Sequence, residues 1–319
     1  MEIVFSPDNN RATKFIGYSM FPKLLVSGFR NVSAYTLRLQ RRRVLTGIAG
    51  LVTVSLVTPV NAAQPIRIGL TPVFLDERSG FLARFRDHLE SVLGRPVVFV
   101  QRRSYADIVE QLLNGRLAAA WLCGYPFVRY RAQMQLIAVP VYEGTPTYHA
   151  YIITGPTSKG IKKFADLKSK VFAYSDPLSN SGFLYAQDCL NDLGQRDSTF
   201  FRKSFFAFGH QNVITAVSSG LADAGAVDGY VWDSVNELTP EATINTRILK
   251  KSEMFGFPPF VCTKNIDPVV LTSLRGALIE MNQTEAGRQL LAELRLDKFI
   301  SGRPAMFDGI AAMMKRVGR

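Results

Sequence analysis

The chain is poor in the residues that build metal centres and covalent frameworks, with three histidines and three cysteines among 319 residues. Cys123, Cys189 and Cys262 cannot all pair, which excludes a disulfide-defined fold and leaves a single Cys123–Cys262 bridge open. Otherwise the three read as small buried hydrophobes. His88, His149 and His210 do not fall near cysteines at metal-ligand spacing, so neither a metal nor any other cofactor is expected. An enzyme using Cys123 as nucleophile with His149 or His210 is disfavoured, because no local motif surrounds Cys123 and no base is placed beside it by sequence. Acidic residues are also in short supply against a net charge of +12, yet no basic patch with interleaved aromatics stands out, and nucleic acid is not an expected partner.

Much of that excess charge sits at the start. Residues 1–62 hold eight Lys or Arg and two acids, leaving 30 bases and 24 acids over the rest, a mild excess that suits a small anionic ligand. Arg41, Arg42 and Arg43 precede an uncharged stretch from Val44 to Pro65. Its apolar part ends at Val57, short of the roughly 20 residues a membrane span needs, and Val60-Asn61-Ala62 has the small-residue form of a cleavage site. Residues 1–62 therefore read as an export signal, with Met20 an alternative start and a twin-arginine flavour in Gln40–Leu45 that departs from the usual Phe at Val44. A cleaved signal places the remainder in the periplasm.

From Ile66 onward, short apolar runs alternate with helical periodicity: strands at 66–70, 96–100, 117–122 and 136–141, helices at 80–93 and 105–114. The same grammar restarts after Gly155, with strands at 171–174, 204–208, 224–227 and 246–249 and helices at 181–190, 212–219 and 230–236. Helices close the chain at 269–281, 285–295 and 307–317. Alternation of this kind predicts parallel strands covered by helices. Two α/β lobes follow: 63–152 with 256–319, and 153–255, joined by crossing segments near 148–155 and 256–263. Clefts between such lobes hold ligands.

The segment from Val171 to Leu184 is a strand, a turn and a helix start. Pro177 sets one φ, Ser179 is a good N-cap, and Gly182 permits close backbone approach. Unpaired N–H groups and the helix dipole at that end favour an anion, and the Ser179 and Ser181 hydroxyls add donors. His210 opens another helix and offers a ring nitrogen to the same anion. Tyr105 and Tyr148, both placed in the first lobe, add phenol hydroxyls.

Asp176-Pro-Leu-Ser-Asn-Ser-Gly182 resembles the D-P-x-S-T-S-G signature of the phosphate/phosphite/phosphonate-binding periplasmic components of ABC transporters. Gly209-His210 followed by Ala216-Val217, Gly144-Thr-Pro-Thr-Tyr148 and Ala120-Trp121-Leu-Cys-Gly124 resemble further motifs of that family. The resemblance spans residues 66–313 and implies a two-lobed type II periplasmic-binding-protein fold, no enzymatic activity, and a monomer that hands its ligand to an ABC permease. It implies that Ser179, Asn180 and Ser181 hold the phosphonate oxygens, assisted by Tyr105, Tyr148 and His210, with Trp121 and Tyr230 completing the ligand set. Two departures matter. Asn180 stands where the family has Thr, and the places of the two acids that hold the amine of aminoalkylphosphonates are Tyr230 and Phe257. A ligand without an amine is expected, with Asp228 a further polar contact. An extracytoplasmic sensor subunit that binds the same ligand and signals to a membrane kinase is the alternative.

Overall fold

A computed structural model describes residues 64–71 and 79–319. The signal segment, its cleavage site and the Met20 alternative lie outside the described residues.

The first sheet begins with β1 (Ile66–Leu70), followed by α1 (Ser79–Leu93), β2 (Val97–Gln101), α2 (Tyr105–Leu113), β3 (Ala119–Trp121), α3 (Gly124–Arg129) and β4 (Met134–Val141). In α1 the residues Phe81, Phe85 and Leu89 recur on one face and are buried, each contributing roughly 1.5–3 kcal/mol, while Arg84 and Arg86 stay in water. Ser104 starts α2 by accepting the amide of Asp107 at 3.2 Å.

The second sheet follows with β5 (Thr147–Thr154), β6 (Val171–Tyr174), α4 (Tyr185–Asp192), α5 (Asp197–Phe200), β7 (Lys203–Phe206), α6 (His210–Ser218), β8 (Ala224–Asp228), α7 (Gly229–Leu238), α8 (Pro240–Thr243) and β9 (Arg247–Gly256). The chain then returns to the first sheet with β10 (Phe260–Thr263), α9 (Pro268–Ile279), α10 (Glu285–Glu293), β11 (Lys298–Ile300) and α11 (Asp308–Arg316). The strand orders are β11-β4-β10-β3-β1-β2 and β7-β6-β8-β5-β9. This is the two-lobed α/β architecture of the type II periplasmic binding proteins.

The expectation of parallel strands holds in part. β1 pairs in parallel with β2 and β3, and β6 with β7 and β8. However, β10 runs antiparallel to both β3 and β4, β11 antiparallel to β4, and β5 antiparallel to β8 and β9. β5 and β10 enter their sheets from the other lobe, not over a covering helix, and so arrive in the opposite sense; β11, which follows β10 through α9 and α10, keeps the direction of β10.

Each lobe thus carries a mixed sheet. The expected boundary at 152/153 falls inside β5, which belongs over its whole length to the second sheet. Passage between sheets occurs at 142–146 and 257–259 instead. Tyr142 and Thr145 exchange backbone hydrogen bonds of 2.9 and 3.1 Å, and the Phe257 amide donates to the Pro146 carbonyl at 2.9 Å, tying the two crossings together. Helix α3, strand β11 and the full length of β9 were not expected.

Candidate functional site

Strand β6 ends at Tyr174, and the next residues turn sharply. Asp176 accepts the Leu178 amide at 2.8 Å through one oxygen and the Tyr105 amide of the first lobe at 3.0 Å through the other. Ser179 then caps a continuous helix over 180–192, its hydroxyl accepting the Gly182 amide at 2.9 Å. The first five residues, Asn180–Leu184, form a wider π-helical turn in which the Leu184 amide reaches the Ser179 carbonyl at 3.0 Å. The Ser175 amide donates to the Gly182 carbonyl at 3.1 Å, which ties this turn back to the end of β6. A Cβ on Gly182 would lie 1.8 Å from the Ser175 hydroxyl and 3.1 Å from His210 Cε1, so only glycine fits.

Around this turn the two lobes bring together a sealed set of polar groups. Tyr105, Tyr148, Ser179, Asn180, Ser181, His210 and Asp228 are each at most 3% exposed. The Asn180 amide nitrogen Nδ2 donates to the Tyr148 hydroxyl at 3.0 Å, and the Asn180 backbone N–H donates to Cys123 Sγ at 3.2 Å. The Asp228 amide donates to His210 Nδ1 at 3.0 Å, which sets the tautomer: the proton sits on Nε2, 3.3 Å from the Tyr105 hydroxyl. Burial pushes the His210 imidazole down to about 3, so it is neutral and acts as a donor, not a cation. Burial lifts both phenols well above their ordinary range, and they keep their protons. The hydroxyls of Ser175 and Ser181 and the carbonyl oxygen of Asn180 are buried without a hydrogen-bond partner among the described residues.

These groups are neutral donors without a full positive charge, gathered at the N-termini of two helices. Such a chamber stabilises an oxyanion by oriented dipoles. Asp228 is the exception. It caps α7, its side chain accepting the Val231 amide at 3.4 Å, and burial raises its carboxyl to about 8, so near neutral pH it is largely protonated.

Of the residues expected at the site, Ser179, Asn180, Ser181, His210, Tyr105 and Tyr148 converge here. Tyr148 does so from β5 of the second sheet, not from the first lobe, because β5 crosses earlier than its sequence pattern suggested. Trp121 does not join them. Its indole stacks on Phe260 at 4.7 Å and donates to the Pro258 carbonyl at 2.9 Å, as part of the first-lobe core. Tyr230 donates its hydroxyl to the Leu294 carbonyl and lies in an aromatic wall, 5.0 Å from both Phe257 and Tyr142, with Tyr148 5.7 Å from Phe257.

Cys123, Cys189 and Cys262 are free thiols, so the Cys123–Cys262 bridge is not formed; Cys262 Sγ lies instead 3.9 Å from the Gln135 carbonyl. Cys123, Ser175 and Asp176 belong to the site and were not expected there. Asp176 and Cys123 stand inside segments that resemble family motifs, Asp176-Pro-Leu-Ser-Asn-Ser-Gly182 and Ala120-Trp121-Leu-Cys-Gly124, while the only sequence signal for Ser175 is adjacency to the serine turn. An open groove of about 670 Å³ behind Tyr148 and Tyr230 is lined by crossing-segment and α7 residues and includes none of the serine-turn residues.

Two α/β lobes joined by two strand crossings and closed over a buried set of neutral donors define a two-lobed solute-binding protein. The family described as ABC transporter, phosphonate, periplasmic substrate-binding protein matches residues 68–307, and the chain belongs to it. It is a family of binding proteins, not enzymes. A phosphate-import protein, PhnD, of Mycolicibacterium smegmatis is 27% identical over 199 residues, which cover 59% of this chain and 62% of that protein. A probable ABC transporter phosphite-binding protein, PhnD1, of Prochlorococcus marinus is 33% identical over 91 residues, 28% of this chain and 30% of that one. The chain thus spans less than two thirds of either relative.

Among solved structures, PhnD1 of Prochlorococcus marinus in complex with methylphosphonate superposes with a TM-score of 0.70 at 19% identity, covering 80% of this chain and 98% of that one. A binding protein component of a phosphonate ABC transporter from Pseudomonas aeruginosa gives 0.73 at 19% identity, covering 80% and 86%. At that identity the likeness is one of fold.

Proposed function

We propose that this chain is the periplasmic receptor of an ABC importer, released from its signal segment, that captures a small phosphorus oxyanion without an amine: phosphite, phosphate or a short alkylphosphonate. The observation that carries the reading is the sealed serine turn, where the Ser181 hydroxyl is wholly buried at a helix N-terminus beside the Tyr148 phenol, with no hydrogen bond of ordinary geometry. A buried hydroxyl keeps such a position at a cost unless something binds it, and an oxyanion is the partner the surrounding donors suit. The names of the relatives, which mention phosphate and phosphite, and the methylphosphonate in one solved structure support the same ligand class. Absence of an amine is supported by Tyr230 and Phe257, paired rings at the two positions where the family resemblance would put carboxylates for an ammonium.

The test is a thermal-shift and calorimetric screen over phosphate, phosphite, methylphosphonate, 2-aminoethylphosphonate and sulfate, repeated with Ser181→Ala. A ligand at 100 times its Kd stabilises by about 2.7 kcal/mol, a rise of several degrees for a domain of this size. Methylphosphonate, phosphite or phosphate should raise the melting temperature most. Because the Ser181 hydroxyl makes no hydrogen bond of ordinary geometry, only a loose approach to Tyr148, Ser181→Ala should change unliganded stability by no more than about 1 kcal/mol while weakening affinity roughly 10- to 100-fold. Tightest binding by 2-aminoethylphosphonate would remove the amine argument, and unchanged affinity in Ser181→Ala would place the site elsewhere.

A further inference from the structure

Asn180 has a feature that a set of donors for an anion does not need. Its amide nitrogen is spent on the Tyr148 hydroxyl at 3.0 Å, and its backbone N–H on Cys123 Sγ at 3.2 Å. What remains is the side-chain carbonyl oxygen Oδ1, buried in a residue with 0% exposure and without a partner among the described residues. A carbonyl oxygen can only accept. Facing a fully ionised oxyanion, it would set lone pair against lone pair in a chamber closed to water. Facing an oxyanion that keeps one proton, it gains the hydrogen bond it lacks.

We infer that Asn180 makes the chamber selective for the singly protonated form of its oxyanion, a ligand bearing a P–OH group, and against permanently ionised dianions such as sulfate. This rests on the reading above that the chamber holds an oxyanion. A hydroxyl at this position, as the family resemblance would have it, both donates and accepts and imposes no such condition. An amide whose nitrogen is already committed imposes it.

Asn180 itself bonds Cys123 and Tyr148, and the titratable groups around the chamber decide how the idea is tested. Tyr105 comes from α2, Cys123 from the start of α3, Tyr148 from β5, Asp176 from the turn after β6, His210 from α6 and Asp228 from the end of β8. Burial keeps both phenols and the Cys123 thiol protonated, raises the Asp176 carboxyl, and holds His210 neutral. Asp228, lifted to about 8, changes charge in the range of interest, and its ionised form would also repel an anion. An Asp228→Asn background separates its contribution from that of the ligand's own proton.

The experiment is titration calorimetry of methylphosphonate and sulfate from pH 5.5 to 9, on the wild type and on Asp228→Asn. In Asp228→Asn, methylphosphonate affinity should fall about tenfold per pH unit once the ligand has lost its second proton, as binding of a one-proton species requires, and in the wild type it should fall more steeply as Asp228 also ionises. Sulfate should bind at least about 100-fold more weakly throughout. Asn180→Thr in the Asp228→Asn background should flatten the pH dependence and narrow the sulfate gap about tenfold; should that variant not fold, the first two proteins still decide. Methylphosphonate affinity independent of pH in Asp228→Asn, or sulfate bound as tightly as methylphosphonate, would overturn the inference and leave the oxyanion reading standing. Binding of no oxyanion at any pH would overturn the oxyanion reading itself.

Discussion

Gly182 and Asp228 show how single residues set the terms of this chamber. Replacing Gly182 by Ala drives a methyl into the Ser175 side chain, whose hydroxyl and Cβ lie 1.8 and 2.6 Å from the new carbon. Overpacking of this kind costs roughly 1–3 kcal/mol. Gly182→Ala should lower the melting temperature, and adding Ser175→Gly should recover most of the loss, as chemical denaturation of the single and double variants would show.

Asp228 gives a pH signature. Its folded carboxyl is raised from 3.8 to about 8, so the stability that goes with the neutral form is whole below about pH 4 and is lost as pH rises through 8. His210 works in the opposite sense. Lowered from 6.5 to about 3, it contributes stability that is whole above 6.5 and lost as pH falls toward 3. Asn at 228 keeps an oxygen for the α7 cap without the charge. Asp228→Asn should match the wild type near pH 4 and exceed it at pH 8.5 by roughly a few kcal/mol, measured by urea unfolding at each pH.

At the scale of elements, the helix over 180–192 depends on Ser179 in a way that separates it from Ser181. The Ser179 hydroxyl satisfies the Gly182 amide, so Ser179→Ala should cost about 1 kcal/mol of stability as well as affinity, whereas Ser181→Ala should cost mainly affinity. Thermal melts run beside calorimetry distinguish the two. Helix α11 belongs to the first lobe by its packing on α3 but also reaches the second: Arg316 clasps Asp188 of α4 through two hydrogen bonds of 2.9 and 2.6 Å. Half-exposed as Arg316 is, that pair is worth little in folding. It matters because it can form only when the lobes are together. Arg316→Ala should shift the unliganded protein toward an open form and raise the apparent Kd a few-fold with little change in melting temperature.

For the molecule as a whole, the burial of every donor at the serine turn means that this is the closed form, and a ligand gains access only by hinge opening at 142–146 and 257–259. Arg295 paired with Glu237 and the Tyr230 hydroxyl on the Leu294 carbonyl are further contacts across the lobes. Two measurements follow. Small-angle scattering should show a smaller radius of gyration with ligand than without, and more so for Arg316→Ala. Cys123, 3% exposed here and with its thiol pushed up by burial, should react with alkylating reagents only through the open form. Ligand should therefore slow Cys123 labelling, followed site by site by mass spectrometry, without slowing Cys189 labelling to the same degree.

Local physics alone determined much of this protein. Apolar periodicity placed most helices and strands to within a few residues, and Ser179 followed by Gly182 after a strand marked a capped helix that favours an anion, because caps and dipoles act within one turn of chain. Strand direction was not legible, since an apolar run such as that of β10 reads the same in either sense and only its neighbours orient it. Cys123 and Trp121 exchanged their expected standing for a related reason: β3 ends at Trp121, whose indole packs on Phe260 and bonds Pro258, while Cys123 lies beyond the strand just before α3, where its sulfur accepts the Asn180 amide. The tertiary structure likewise decided the tautomer of His210, through the Asp228 amide. Such contacts join separate elements, and those pairings exist only once the chain has folded.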